Sequence, residues 1–158
     1  MKIKGIIFED TINYKKISLT IMMPYCSFKC DKEFGTNICQ NGKLANDPNI
    51  DIDPKQIIET YYLNNNLVDS IVFQGLEPFD SWDDLLNFVK EFRKVSFDDI
   101  VIYSGYNEDE IVNQINELSQ FSNIIVKFGR YLPNQESHFD EVLGVKLASS
   151  NQYAKKIS

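Results

Sequence analysis

Three cysteines, Cys26, Cys30 and Cys39, stand at C-x3-C-x8-C spacing and are the only cysteines in a chain of 158 residues. A secreted disulfide framework would spread an even number of cysteines through the chain. An odd number crowded into one short segment points instead to metal binding or redox chemistry. Three thiolates suit a soft metal or an iron–sulfur cluster. A structural zinc site needs four ligands, usually in paired C-x2-4-C knuckles. The fourth would have to be a carboxylate or His138, the only histidine, which reads as an exposed loop side chain in a polar stretch. A four-iron cluster on three cysteines has another logic, because one iron stays open to an exogenous ligand. The remaining alternative is three small buried hydrophobes. Spacing alone leaves these three readings open.

The elements around the cysteines must hold them. Ile3–Phe8 and Ile17–Met22 are β-rich runs joined by a polar turn near Asn13, which predicts an N-terminal pair of strands ending just before Cys26. Asn41–Asp53 is polar and aperiodic. Asp53-Pro54 reads as an N-cap with proline at the first helical position, opening a helix that carries Ile57, Ile58, Tyr61 and Tyr62 and ends near Asn64. Ser70–Gln74 is a short buried strand leading into Gly75-Leu76-Glu77-Pro78. Ser81 with Asp84 imitates a capping box before a helix whose buried face is Leu85, Leu86, Val89 and Phe92. Ile100–Ser104 is a strand, Asn107 with Glu110 caps a helix bearing Ile111, Ile115 and Leu118, and Ile124–Phe128 is a further strand.

Tyr131–Ser158 is polar and loop-like apart from Val142–Leu147. The aromatic residues Tyr61, Tyr62, Phe88 and Phe92 read as core. Asp98-Asp99 and Glu108-Asp109-Glu110 read as helix-dipole or solvent-facing charges rather than an acid/base pair. Strand, loop and helix recur about every 30 residues with continuously apolar strands, which indicates βαβ units in a parallel sheet within one α/β domain spanning residues 1–158.

Composition narrows the partners. Hydrophobic residues make up 43% of the chain, enough for a packed core, and the net charge is −7. No basic footprint is present, so nucleic acid and anionic membrane are poor partners. No apolar run approaches the roughly 18 residues of a membrane span, and no signal peptide is visible, which makes the cytoplasm the expected location.

In their order, these segments resemble the radical S-adenosylmethionine superfamily, and within it the activating proteins of anaerobic ribonucleoside-triphosphate reductases. Cys26, Cys30 and Cys39 stand where that family has its C-x3-C-x2-C loop, with eight residues in place of the final two. Gln74-Gly75-Leu76-Glu77-Pro78 resembles its Gly-Gly-Glu-Pro element, with Leu76 for the second glycine. Ile102–Tyr106 resembles its Leu-Tyr-Thr-Gly-Tyr strand end, and Phe128-Gly129-Arg130-Tyr131 its Asp-Gly-Arg-Phe segment, without the Asp. Ala148-Ser149-Ser150-Asn151-Gln152 resembles its Gly-Ser-Ser-Asn-Gln.

The resemblance implies an incomplete, open (β/α) barrel with a mostly parallel sheet, a [4Fe–4S] cluster and S-adenosylmethionine. The three cysteines would ligate the cluster, Glu77 would accept a hydrogen bond from the methionine amino group, and Gly75 would let the backbone approach the cofactor. Ser104 would meet its carboxylate or ribose, and Ile38 would pack near the adenine. It also implies an electron from reduced flavodoxin or ferredoxin, and a deoxyadenosyl radical that abstracts a glycine Cα hydrogen from an anaerobic ribonucleotide reductase. The alternatives are a different glycyl-radical protein or peptide as substrate, or a metal- or partner-binding scaffold without turnover.

Overall fold

The computed structural model describes residues 1–158. The opening runs form β1 (Lys2–Ile3), β2 (Gly5–Asp10) and β3 (Ser18–Met23), and β2 and β3 pair as the expected antiparallel hairpin. The cysteine loop carries a short helix, α1 (Lys29–Phe34), for which the sequence offers no apolar stripe. A two-residue strand β4 (Ile50–Asp51) pairs with β1, and α2 (Pro54–Leu63) begins at Asp53 with a full capping box to Gln56. Next come β5 (Ser70–Gly75), α3 (Trp82–Phe92), β6 (Asp99–Tyr103), α4 (Val112–Leu118) and β7 (Ile124–Phe128). The C-terminal part adds the hairpin β8 (His138–Asp140) with β9 (Val145–Leu147), and β10 (Tyr153–Lys156).

The main sheet has six strands in the order β10-β7-β6-β5-β3-β2. The β3–β5, β5–β6 and β6–β7 pairings are parallel, and the two outer pairings are antiparallel, so the sheet is mixed. Parallel strands in unbroken chain order, joined by right-handed crossovers, put every connecting helix on the same face. That is where they lie. Ile57 and Tyr61 of α2, Leu85 and Phe88 of α3, and Leu118 of α4 join alternate strand residues in one core cluster of 22 buried residues. The opposite face holds a smaller cluster of 7, in which Val72, Val101 and Ile125 meet Tyr14, Leu143 and Leu147. No helix is long and apolar enough to cross a membrane.

Several expectations require correction. Tyr131–Ser158 contains three strands, and β10 extends the main sheet at its edge. Its only buried residue is Ala154, so an edge strand of this kind leaves little apolar pattern to read. Tyr62 is 62% exposed, whereas Tyr61, Phe88 and Phe92 are core. Ser81 caps nothing, and its Oγ is buried without a partner. Pro78 starts a 3-10 turn (Pro78–Ser81) ahead of α3, and that turn is capped by Glu77. Asn107 and Glu110 do form a capping box, but on a 3-10 turn (Glu108–Glu110) that precedes α4. Asp98 and Asp99 are tied to Tyr61 and Tyr14 hydroxyls at 2.8 and 3.0 Å rather than simply facing water. His138 is a half-buried β8 residue with an unpartnered Nδ1, not an exposed loop side chain.

Candidate functional site

Ligands collect at the C-terminal edge of parallel strands because the chain leaves each strand there in a loop. Here β3 delivers the cysteine loop, β5 the Glu77 turn, β6 Ser104-Gly105, and β7 Gly129-Arg130. The first two are tied directly: Leu76 N–H donates to the Met23 carbonyl (3.4 Å) and Glu77 N–H to the Tyr25 carbonyl (2.8 Å). Asp80 adds a second tie, accepting from Ser27 N–H at 2.5 Å and from the Tyr106 hydroxyl at 2.6 Å. The cysteine loop is thereby fastened to two neighbouring strand ends. Asp80 escapes notice in the sequence because it belongs to no motif, and Tyr106 is legible only as the last residue of the Ile102–Tyr106 strand end, not as the partner of Asp80.

Cys26, Cys30 and Cys39 are all free, half-buried, and line one cavity of about 370 Å³. Burial pushes the Cys26 thiol up to about 12, against the Phe28 N–H, which donates to its Sγ at 3.2 Å. Burial and the neighbouring Cys39 raise Cys30 to about 11. Both are therefore thiols in the cofactor-free protein, and a metal would bind by displacing their protons. Phe28 itself is left-handed (φ 52°), an unusual conformation for a bulky residue, and it turns the chain between Cys26 and Cys30.

Glu77 lies on the same cavity and is 7% exposed. Its Oε1 accepts from Phe79 N–H (3.2 Å) and the Ser104 hydroxyl (2.8 Å), and its Oε2 from Gly105 N–H (2.7 Å). Burial raises its pKa to about 7 in spite of those three donors. Ser104 thus orients Glu77, a role that strand-end position alone did not show. Gly75 takes φ +88°, and a Cβ there would sit 3.0 Å from Leu44 Cδ2 and 3.2 Å from Met22 Cα. The neighbouring Leu76 has no positive φ and is buried, so a side chain fits at the position where the resembled element has its second glycine.

Sequence reasoning missed Lys127. It interrupts the apolar run Ile124–Phe128, and the alternation of β7 turns it to the face opposite the helices, where it lines the cavity. Its ammonium is buried and donates to the Gly129 carbonyl (2.8 Å) and the Ser104 carbonyl (3.2 Å). Burial lowers its pKa to about 8, with Glu77 pulling the other way. Arg130 makes a bidentate pair with Glu110 at 2.7 Å; Glu110 stays exposed at its element start, as expected, and the guanidinium holds its carboxyl down to about 2.

The Ser149–Gln152 segment buttresses this corner. Asn151 Nδ2 donates to the Arg130 carbonyl at 2.8 Å, Gln152 Nε2 to the Gly129 carbonyl at 3.3 Å, and Ser149 N–H to Gln152 Oε1 at 3.1 Å. Gly129 has φ +92°, and a Cβ there would stand 2.9 Å from the Asn151 carbonyl oxygen. Ser150, by contrast, is exposed and bonds Gln135.

The structure therefore brings Cys26, Cys30, Cys39, Gly75, Glu77 and Ser104 to one cavity. Ile38 is not among the residues lining it and contributes a backbone N–H to Asp31 instead. His138 is likewise outside the lining. No three His, Cys, Asp or Glu side chains converge tightly enough to hold one metal ion. Three cysteines without a fourth protein ligand suit a multi-iron cluster, in which each thiolate takes a separate iron.

The charges fit such a group as well. The chain carries 16 basic and 23 acidic residues, yet the cavity is lined by Lys127 and Lys146 against Glu77, and by Arg130, whose guanidinium is paired with Glu110 and Glu33. An excess of cations suits a cluster made anionic by three thiolates. A family model described as a 4Fe-4S single cluster domain matches residues 16–153, from just before β3 to the first residue of β10. No curated protein and no solved structure matches the chain.

Proposed function

Because the chain belongs to the 4Fe-4S single cluster domain family, an iron–sulfur family, we propose that it is a radical S-adenosylmethionine enzyme. Its open, singly wound sheet is then an incomplete (β/α) barrel, and Cys26, Cys30 and Cys39 hold a [4Fe–4S] cluster with one open iron. The observation that carries the reading is the convergence of three thiols and one buried carboxylate, held by three donors, on a single cavity at the strand ends. When bound, the cluster supplies the electron that cleaves the sulfonium of S-adenosylmethionine to give a deoxyadenosyl radical.

The chain's own residues bind and orient. Glu77, once ionised, faces the ammonium of the methionine moiety, and Ser104, Gly105 and Phe79 hold its two oxygens so that it cannot turn away. Lys127 has used two of its three N–H groups on backbone carbonyls and offers the third to an anionic group in the cavity. Gly75 keeps the wall thin at the β5 end. No side chain has to act as acid or base. The substrate we infer is a glycyl-radical protein, foremost an anaerobic ribonucleotide reductase, with flavodoxin or ferredoxin as electron donor.

Anaerobic reconstitution with iron and sulfide, followed by EPR of the reduced protein, tests the reading. About four irons per chain, and a signal that shifts when S-adenosylmethionine is added, are expected. A cluster whose signal ignores the cofactor would leave a metal-binding scaffold.

A further inference from the structure

Eight residues separate Cys30 from Cys39, and one side chain accounts for how that interval closes. Asp31 Oδ1 accepts the N–H of Ile38 at 2.8 Å and the N–H of Cys39 at 2.9 Å. Cys30 Sγ lies 3.9 Å from the same oxygen. The backbone carbonyl of Asp31 accepts from Gly35 N–H at 2.9 Å and ends α1. The rest of the interval adds one tie, Glu33 Oε2 to Arg130 Nε at 3.1 Å, which holds α1 and not the Ile38–Cys39 end; α1 has no buried residue, and residues 32–37 are exposed. Farther on, Asn41 Nδ2 anchors the chain to the Gly75 carbonyl (2.7 Å), but that bond fixes the exit of the loop and not the distance between the two sulfurs.

We propose that Asp31 is the positioning residue that sets the third cluster ligand, folding the long interval back so that Cys39 stands beside Cys30. The proposal rests on reading the three cysteines as one ligand set. Closing a longer loop costs little extra entropy by itself. Holding one residue of an exposed loop at a fixed place is a different matter, because each unfixed residue keeps its own backbone freedom. A single carboxylate oxygen that accepts from two successive backbone N–H groups removes that freedom at the residue that matters, and bonds to an ionised acceptor are the strong ones. Asp31 acts through Cys39 and does not itself need to touch the cluster.

The test has two arms. In cofactor-free protein carrying Cys26→Ser, the rate at which diamide oxidises Cys30 and Cys39 to a disulfide measures how often the two sulfurs meet. Asp31→Ala, which removes both bonds, should slow that rate by at least about tenfold, the size of one charge-assisted hydrogen bond. Asp31→Asn, whose amide oxygen still accepts both N–H groups but without the charge, should be slowed clearly less than Asp31→Ala.

In the second arm, with all three cysteines present, Asp31→Ala should take up less than half the iron of the wild type during reconstitution, and Asp31→Asn should recover it. Unchanged melting temperatures separate positioning from general unfolding. Wild-type behaviour of Asp31→Ala in both arms would overturn the proposal, as would an Asp31→Asn variant no better than Ala. If wild-type protein takes up no cluster, the functional reading fails, and the cross-linking rates still decide the role of Asp31.

Discussion

The two faces of the same four parallel strands have been given different work. Toward the helices, Leu19, Ile21, Phe73, Ile102 and Val126 are fully buried in the large apolar cluster. On the other face, Val72, Val101 and Ile125 form an apolar middle, and the strands turn polar toward their C-terminal ends at Gln74, Tyr103 and Lys127. Strand alternation makes this separation possible, since neighbouring residues in one strand serve opposite faces. Stability resides chiefly on the helix face. The proposed binding chemistry lies where the other face meets the strand ends, and burial there disfavours the charged forms of Glu77 and Lys127.

That contrast can be broken from either side. The largest effect is expected at the site: Cys39→Ala should abolish cluster incorporation, read as iron and sulfide content, while circular dichroism shows an intact sheet. Full retention of iron would remove Cys39 from the ligand set. On the helix face the reverse should hold. Phe88 is fully buried, edge-on to Phe73 with ring centroids 5.1 Å apart and stacked with Phe92 at 5.9 Å. Phe88→Ala should therefore cost about 3–5 kcal/mol in denaturant titration. Iron binding by the folded fraction should be unchanged.

Glu77 comes next. Its folded pKa of about 7 lies above the ordinary 4.5, so its contribution to stability is fully present below pH 4.5 and is lost as pH rises through 7. The stability of Glu77→Gln relative to wild type should therefore increase across that window, by on the order of 3 kcal/mol. Binding of S-adenosylmethionine should follow the opposite course in wild-type protein, tightening as pH rises toward 7 because the ammonium needs the ionised carboxylate. A pH-independent affinity would show that Glu77 does not face it.

The smallest stability effect is expected for Lys127→Met, within about 1 kcal/mol of wild type, because the lost bonds to two carbonyls are offset by removal of a buried charge. Cofactor affinity should nevertheless fall measurably in the same variant.

Legibility in the sequence followed the same division. The buried parallel strands were plain because both of their faces are covered and their runs are apolar throughout, as in Ile100–Tyr103. The helix beginning at Pro54 was plain from its cap. Adjacent Tyr61 and Tyr62 could not be separated by periodicity alone, and the structure buries only the first. The edge strand Tyr153–Lys156 carries a single inward residue and gives no periodic signal. At the site, the cysteines and Glu77 were legible as chemistry-bearing types in sequence order. Asp31 was not, because its role depends on a loop returning to it. Lys127 had left a trace, a charged residue inside an otherwise apolar strand, which marks a face that something polar must meet.

The most direct test of the central claim, that the three thiols and Glu77 form one radical-generating site, is a single-turnover cleavage assay. Reconstituted protein would be reduced with dithionite in the presence of S-adenosylmethionine, and 5′-deoxyadenosine and methionine would be quantified by mass spectrometry. Formation of both products in equal amounts by wild-type protein, and of neither by Cys26→Ala, is the predicted result. Protein that is fully loaded with cluster, yet forms no 5′-deoxyadenosine under these conditions, would contradict it.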